Sequence, residues 1–287
     1  MLNQKSLIMD AQVTPLSSGF ESGNGEKVFY RHWKAAGKAK AVAVLVHGFN
    51  SHSGYYQWVA DQLTADNFET YALDLRGRGN SDGERFYIED YNSFVDDIDK
   101  MVDIAISENA GLPAFLIGHS AGGVLSSVYA LDHQDKLKGF VCESFAFQVP
   151  APDFALAVLK GLSHIAPHAH VLKLKNEDFS RNTAVVETMN ADPLIAHEVQ
   201  PTKTVQQLVL ADERIKADMS KISLPIFIIH GTQDKATRPE GSKLFYETVS
   251  SKDKTLRLYE GHYHDLLNDK DKEIVMNDIM AWLNSHV

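Results

Sequence analysis

Apolar positions in this chain follow two periods, and the two alternate. AVAVLVHG (41–48) is continuously apolar up to a glycine, the pattern of a strand covered on both faces. KVFYRHW (27–33) follows the turn signal SGNGE and reads as the second arm of a hairpin. YYQWVADQLTADN has helical spacing, ETYALDLRGRGNSDG (69–83) is a strand opening into a Gly-rich loop, and 91–111 is an amphipathic helix. In that helix Phe94, Ile98, Met101, Val102 and Ala105 share one face, and a glycine stops it. PAFLIGHS is the next strand, AGGVLSSVYALDHQ the next helix, and LKGFVCESFAF a further strand. From about 148 to 220 no buried strand is expected; helix-length apolar stretches are broken by Pro and Gly. Strand LPIFIIHGTQD (224–234), helix PEGSKLFYETVSS, strand KTLRLYEG (254–261) and a terminal helix complete the chain. Strands alternating with helices predict an α/β fold with a mostly parallel central sheet flanked by helices. The interruption predicts a core from 1–147 and 221–287, with 148–220 inserted over one end of the sheet as a helical cap.

Composition changes this picture little. At 287 residues, 44% hydrophobic and 23% charged, the chain fits one large domain with an insertion. A net charge of −10 argues against nucleic acid or an anionic membrane surface as the main partner. The single cysteine, Cys142, leaves no intrachain disulfide, and its apolar strand context predicts a buried structural thiol. The apolar run Leu7–Met9 is too short for a signal peptide, and no segment approaches the ~18 apolar residues of a membrane span. A cytoplasmic location is the resulting expectation. No Cys/His pair has zinc spacing, and His164, His168 and His170 are expected to be solvated or hydrogen-bonded; no metal and no cofactor is expected.

The chemistry concentrates at Gly118-His119-Ser120-Ala121-Gly122, a G-x-S-x-G pattern with a buried strand before it and a helix after it. A serine on so sharp a turn needs neighbours without side chains, which Gly118 and Gly122 supply. The hydroxyl then needs a general base, and in this architecture the order along the chain is nucleophile, acid, histidine. Of 13 histidines, His264 in YHDLL is the best-placed base, with His262 as rival. Asp234, in the loop after IFIIHG, is the expected acid; Glu143, at the end of the preceding strand, is the alternative. Asp265 is expected to be a solvated charge. Backbone N–H groups of Phe49 and Ala121 are the expected oxyanion donors, with His47 bracing their loop.

The stretches VHGFNSHSGYY, ALDLRGRGNSDGER, IGHSAGG, HGTQDKATRPEGSKLFYE and SKDKTLRLYEGHYHDLLND together resemble serine α/β-hydrolases of the monoacylglycerol lipase and lysophospholipase group. The resemblance runs nearly end to end and is weakest over 148–220. It implies the α/β-hydrolase fold, Ser120, Asp234 and His264 as the triad, and a mobile cap that admits an acyl chain. It also shows departures. The first loop of the eukaryotic members reads roughly H-G-x-G-E-H-S-G-R-Y; here Ser51 replaces the glutamate and Tyr55 the arginine, and Leu267 stands where a histidine is expected. Those positions bind the glycerol head in that group, so a more apolar alcohol group or a looser esterase is implied. Ser51, Tyr55, Leu267, His119 and Glu143 are therefore the substrate-binding candidates. Phe154, Leu156, Val158, Leu159, Leu162 and Ile165 either line an acyl tunnel or form the cap's own packing, the commoner fate of such a stripe.

The resulting expectation is carboxylic-ester hydrolysis through an acyl-enzyme, on a small-molecule ester or lipid, with at most transient membrane contact through the cap. The same triad serves amide or peptide hydrolysis and perhydrolysis. A ligand-binding protein on the same scaffold is the non-enzymatic alternative. Haloalkane dehalogenases and epoxide hydrolases are disfavoured because they carry Asp where Ser120 stands.

Overall fold

The computed structural model describes residues 12–147 and 161–287. Eight strands form the main sheet: β1 (Leu16–Glu21), β2 (Lys27–Trp33), β3 (Ala41–Val46), β4 (Phe68–Leu73), β5 (Ala114–His119), β6 (Gly139–Glu143), β9 (Ile226–Gly231) and β10 (Lys254–Tyr259). Their spatial order is β1-β2-β4-β3-β5-β6-β9-β10. β1 and β2 form the expected hairpin, and β2 also meets β4 antiparallel; every other pairing is parallel.

The period of two sorts the strand residues onto two faces. Val42, Val44, Val46, Leu116, Phe140, Cys142, Ile226 and Ile228 join one apolar cluster. Ala43, Leu45, Phe115, Ile117, Val141, Phe227 and Ile229 join the other. The first face is covered by α2 (Tyr91–Glu108), α3 (Ala121–His133), α5 (Thr202–Asp218) and α6 (Pro239–Thr248). The second is covered by α1 (Gln57–Ala65) and α7 (Lys272–Ser285). Each fully buried Val, Leu or Ile contributes roughly 1.5–3 kcal/mol, so this double cover fixes the strand ends that carry the chemistry. α2 shows the local logic. The Asp90 side chain caps it by accepting from the Asn92 amide, its apolar face holds the five expected residues, and Gly111 follows at φ 85°.

Two findings depart from expectation in the inserted segment. β7 (His170–Leu172), itself exposed, and the buried β8 (Gln200–Pro201) pair as a short antiparallel ribbon where no buried strand was expected. And α5, inside the 148–220 range, sends Ala211 and Ile215 into the main core against α3, because its apolar stripe faces the sheet layer. α4 (Thr183–Ala191) lies between the ribbon's two strands in sequence. Phe154, Leu156, Val158 and Leu159 lie outside the described residues. Leu162 and Ile165 are exposed, Ile165 by 85%, and so do not pack the cap's interior. No described helix is long and apolar enough to cross a membrane.

Candidate active site

Ser120 sits between β5 and α3 at φ 54°, ψ −120°, a backbone region that L-residues avoid. Its amide donates to the Glu143 carbonyl at 3.0 Å, so neighbouring β6 holds the turn from below. The two glycines are needed for space. A Cβ on Gly118 would lie 2.6 Å from Ser126 Oγ, and one on Gly122 would lie 2.4 Å from the carbonyl oxygens of both Val46 and His47. The turn can be this tight only because nothing projects from either residue.

The three residues selected by chain order meet here. His264 Nε2 lies 2.8 Å from Ser120 Oγ, and His264 Nδ1 lies 2.7 Å from Asp234 Oδ2. Asp234 is richly bonded: Oδ1 accepts from the amides of Ala236 and Thr237 at 2.7 and 2.9 Å, and Oδ2 accepts from Thr237 Oγ1 at 2.8 Å. Burial acts to raise its pKa, but the charge of His264 and the bonds from His230 and His264 outweigh that and hold the carboxyl well below its usual range. His230 was not singled out in the sequence. Its Nε2 lies 2.9 Å from Asp234 Oδ2 and its Nδ1 2.7 Å from Ser242 Oγ, so a second imidazole braces the acid. The signal was a histidine next to the end of β9, directly after the apolar run 226–229.

The loop 47–49, the expected source of an oxyanion donor, lies against Ser120. A Cβ on Gly48 would be 2.8 Å from Ser120 Cβ and 3.3 Å from its Oγ. Among the described residues, neither the Phe49 nor the Ala121 amide has a hydrogen-bond acceptor. Two free N–H groups beside a nucleophile at a helix N-terminus suit developing negative charge. His47 holds the loop. The Leu75 amide donates to its Nε2 at 3.0 Å, so Nδ1 carries the proton and donates to the Gly48 carbonyl at 2.7 Å. Burial brings the His47 pKa down to about 4, which keeps this tautomer neutral.

The remaining candidates divide. His262 does not reach Ser120; its carbonyl accepts from Gln233 and its ring packs near Tyr259. Glu143 does not reach His264; its Oε1 accepts from the Leu267 amide at 3.3 Å, and burial pushes its pKa well up. Leu267 is packed into the second apolar cluster rather than turned toward a head-group site. Tyr55 donates to Asp192 Oδ2 at 3.0 Å, and His52 Nε2 lies 2.9 Å from the same oxygen, tying the first loop to the inserted segment. Ser51 is buried. His119 is buried and its ring packs 4.9 Å from that of His264.

Asp265 is not a solvated charge. Its amide donates to the Phe179 carbonyl at 2.9 Å, its side chain is buried, and that burial brings its pKa up to about 6. Phe179 itself packs edge-on against the His264 ring at 4.9 Å. Asp269 accepts from the Arg181 amide at 2.6 Å and from Arg181 Nε at 2.7 Å, fastening 179–181 to the loop of the base. Among the described residues, His119, Glu143 and Asp265 are the group that could hold a metal ion, their ligand atoms lying within 4.8 Å of one another. His168, by contrast, is exposed and paired with Glu84.

Comparison with known proteins agrees with this architecture. The chain is 31% identical over 272 residues to a monoacylglycerol lipase of Mycolicibacterium smegmatis, covering 93% of this chain and 96% of that protein. It is 32% identical over 269 residues to human monoglyceride lipase, covering 93% and 88%. The crystal structure of a monoacylglycerol lipase from Paleococcus ferrophilus superposes with a TM-score of 0.80 at 30% identity, over 96% of this chain and all of that one. A soluble variant of monoglyceride lipase from Saccharomyces cerevisiae, in complex with a substrate analog, shares the fold at a TM-score of 0.87 and 22% identity, over 98% and 97% of the two chains. Residues 37–271 match the family described as serine aminopeptidase, S33, and the chain belongs to that family of α/β-hydrolases.

Proposed function

We propose that this chain is a carboxylic-ester hydrolase acting on monoacylglycerol-like or other small and medium acyl esters. The observation that carries the reading is the unbroken line Asp234–His264–Ser120, at 2.7 and 2.8 Å, beside two free amides. His264 Nε2 takes the Ser120 proton as Oγ attacks the ester carbonyl. The Phe49 and Ala121 amides stabilise the oxyanion, and Asp234 stabilises the imidazolium. The protonated His264 gives its proton to the leaving alcohol. Water, activated by the same histidine, then releases the acid from the acyl-enzyme.

In this reading 148–201 is the cap, since α5 packs with the core. Exposed Leu162, Ile165, Val171 and Leu172 give it an apolar outer surface suited to transient contact with a lipid phase. The glycerol-binding positions support a loosened head-group site. Tyr55 engages Asp192, and Leu267 is committed to packing.

The test is a paired rate: kcat/KM for a medium-chain 1-monoacylglycerol against the methyl ester of the same acid, with Ser120→Ala as control. A large preference for the glyceride supports a dedicated monoacylglycerol site. Equal rates support a general esterase. Inactivity on both, with turnover of aminoacyl amides, supports the peptidase reading that the family's description suggests.

A further inference from the structure

Directly behind the catalytic histidine is a second cluster that the ester-cleaving mechanism does not use. His119 ends β5, Glu143 ends β6, and Asp265 begins the loop that follows His264. All three are buried. His119 Nε2 is buried without a hydrogen-bond partner among the described residues, although imidazole nitrogens away from water almost always have one. The ligand atoms of the three residues stand within 4.8 Å of one another, and no hydrogen bond joins His119 Nε2 to either carboxylate. Such a gap is shaped for one atom in the middle.

Few donors surround the two carboxyl groups. Glu143 accepts from the Leu267 amide, and Asp265 accepts from Asn268 Nδ2 at 3.1 Å. No ammonium or guanidinium is hydrogen-bonded to either carboxylate among the described residues. Two buried carboxylates without a cation are costly. A divalent ion would neutralise both and complete the imidazole. Metal bonds to nitrogen and carboxylate oxygen run about 2.0–2.2 Å, so small side-chain rotations close the triangle. One imidazole with two carboxylates suits a first-row transition ion better than calcium or magnesium, which prefer oxygen alone.

We infer that His119, Glu143 and Asp265 form a binding site for a divalent transition-metal ion, zinc(II) or manganese(II). Two of the ligands are the sequence neighbours of Ser120 and His264. The ion would therefore clamp the nucleophile's strand to the base's loop while leaving the pocket formally neutral. Its role is structural positioning; it does not touch substrate.

The test is metal content and melting temperature of the full chain. Protein is stripped with chelator, dialysed against zinc or manganese chloride, and analysed by inductively coupled plasma mass spectrometry. Glu143→Gln and Asp265→Asn are run in parallel, with labelling by a serine-reactive phosphonate as the check that each is folded. The expected result is about one equivalent of ion in the wild type, a rise in melting temperature of several degrees, and loss of both in the two variants. Equal binding by wild type and variants would assign the metal to surface histidines and overturn the site. Absence of bound metal in the wild type, with Glu143→Gln at least as stable, would overturn it too and leave a water in the gap. If a variant fails to label, cobalt(II) absorption bands in the wild type decide instead: visible d–d bands of a site with nitrogen and oxygen ligands support it, and only the aqueous spectrum overturns it.

Discussion

Gly122→Ala tests whether the nucleophile turn is as constrained as its geometry implies. The added Cβ would fall 2.4 Å from two carbonyl oxygens, those of Val46 and His47. Ordinary contact begins near 3.4 Å, so something must move by about 1 Å. Neither side is a flexible side chain: one is the end of β3 and the start of the oxyanion loop, the other is the first turn of α3. Overpacking of this kind costs about 1–3 kcal/mol. In a chain of this size each kcal/mol lowers the melting temperature by roughly 2–4 °C. The larger effect should be on rate. A displacement of about 1 Å between nucleophile and oxyanion donors costs on the order of 100-fold. The assay is kcat/KM on a p-nitrophenyl ester, with melting followed by circular dichroism. Gly23→Ala is the control, since nothing lies within 4 Å of its added Cβ. If Gly122→Ala kept both wild-type melting and wild-type rate, the packing account of the turn would be refuted.

Further outcomes follow from the same geometry. Asp234→Asn should lower kcat about 10⁴-fold with little change in KM, as loss of the imidazole tautomer does in other serine triads; a loss under tenfold would exclude Asp234 as the acid. His230→Gln, which keeps one donor toward Asp234, should lower kcat far less, by about tenfold, the worth of one buried bond to a charged group. The depressed Asp234 pKa makes a signed prediction. Its stabilisation is fully present above the unfolded value near 3.9 and is lost as pH falls below it through the folded value. Melting temperature should therefore fall more steeply below about pH 4 in the wild type than in Asp234→Asn. Tyr55→Phe should cost about 1 kcal/mol or less of stability through the lost bond to Asp192, and should leave hydrolysis of a methyl ester within twofold; a large activity loss would place the Tyr55 hydroxyl on the substrate.

Much of this fold could be read in advance because its strands are buried on both faces. AVAVLV and IFII have no polar residue to mislead, and glycine punctuates each strand end that carries chemistry. Ser120, His264 and Asp234 could be selected because the fold fixes their order along the chain. The inserted segment resisted reading for a physical reason. A two-residue strand such as Gln200–Pro201 has no periodicity, and the stripe of α5 looks the same whether it faces a cap or the core. Asp265 was misread because its loop is bonded to a residue distant in sequence, Phe179, and no local pattern encodes that. His230 and Phe179 were missed for a similar reason. One looks like a polar interruption in a strand and the other like an ordinary aromatic, and only tertiary contact joins them to the triad.

The fastening of 179–181 to the loop of the base sets a rule for exchanging parts between relatives. A designer who wants a new acyl specificity would transplant the whole inserted segment. Here its distal part is also the wall of the proposed general base: Phe179 faces the His264 imidazole and Arg181 grips Asp269. A graft that replaces 148–178 leaves that wall in place. One that runs on through 181 removes the support of His264 along with the specificity it meant to change. The splice point for chimeras therefore lies before Phe179.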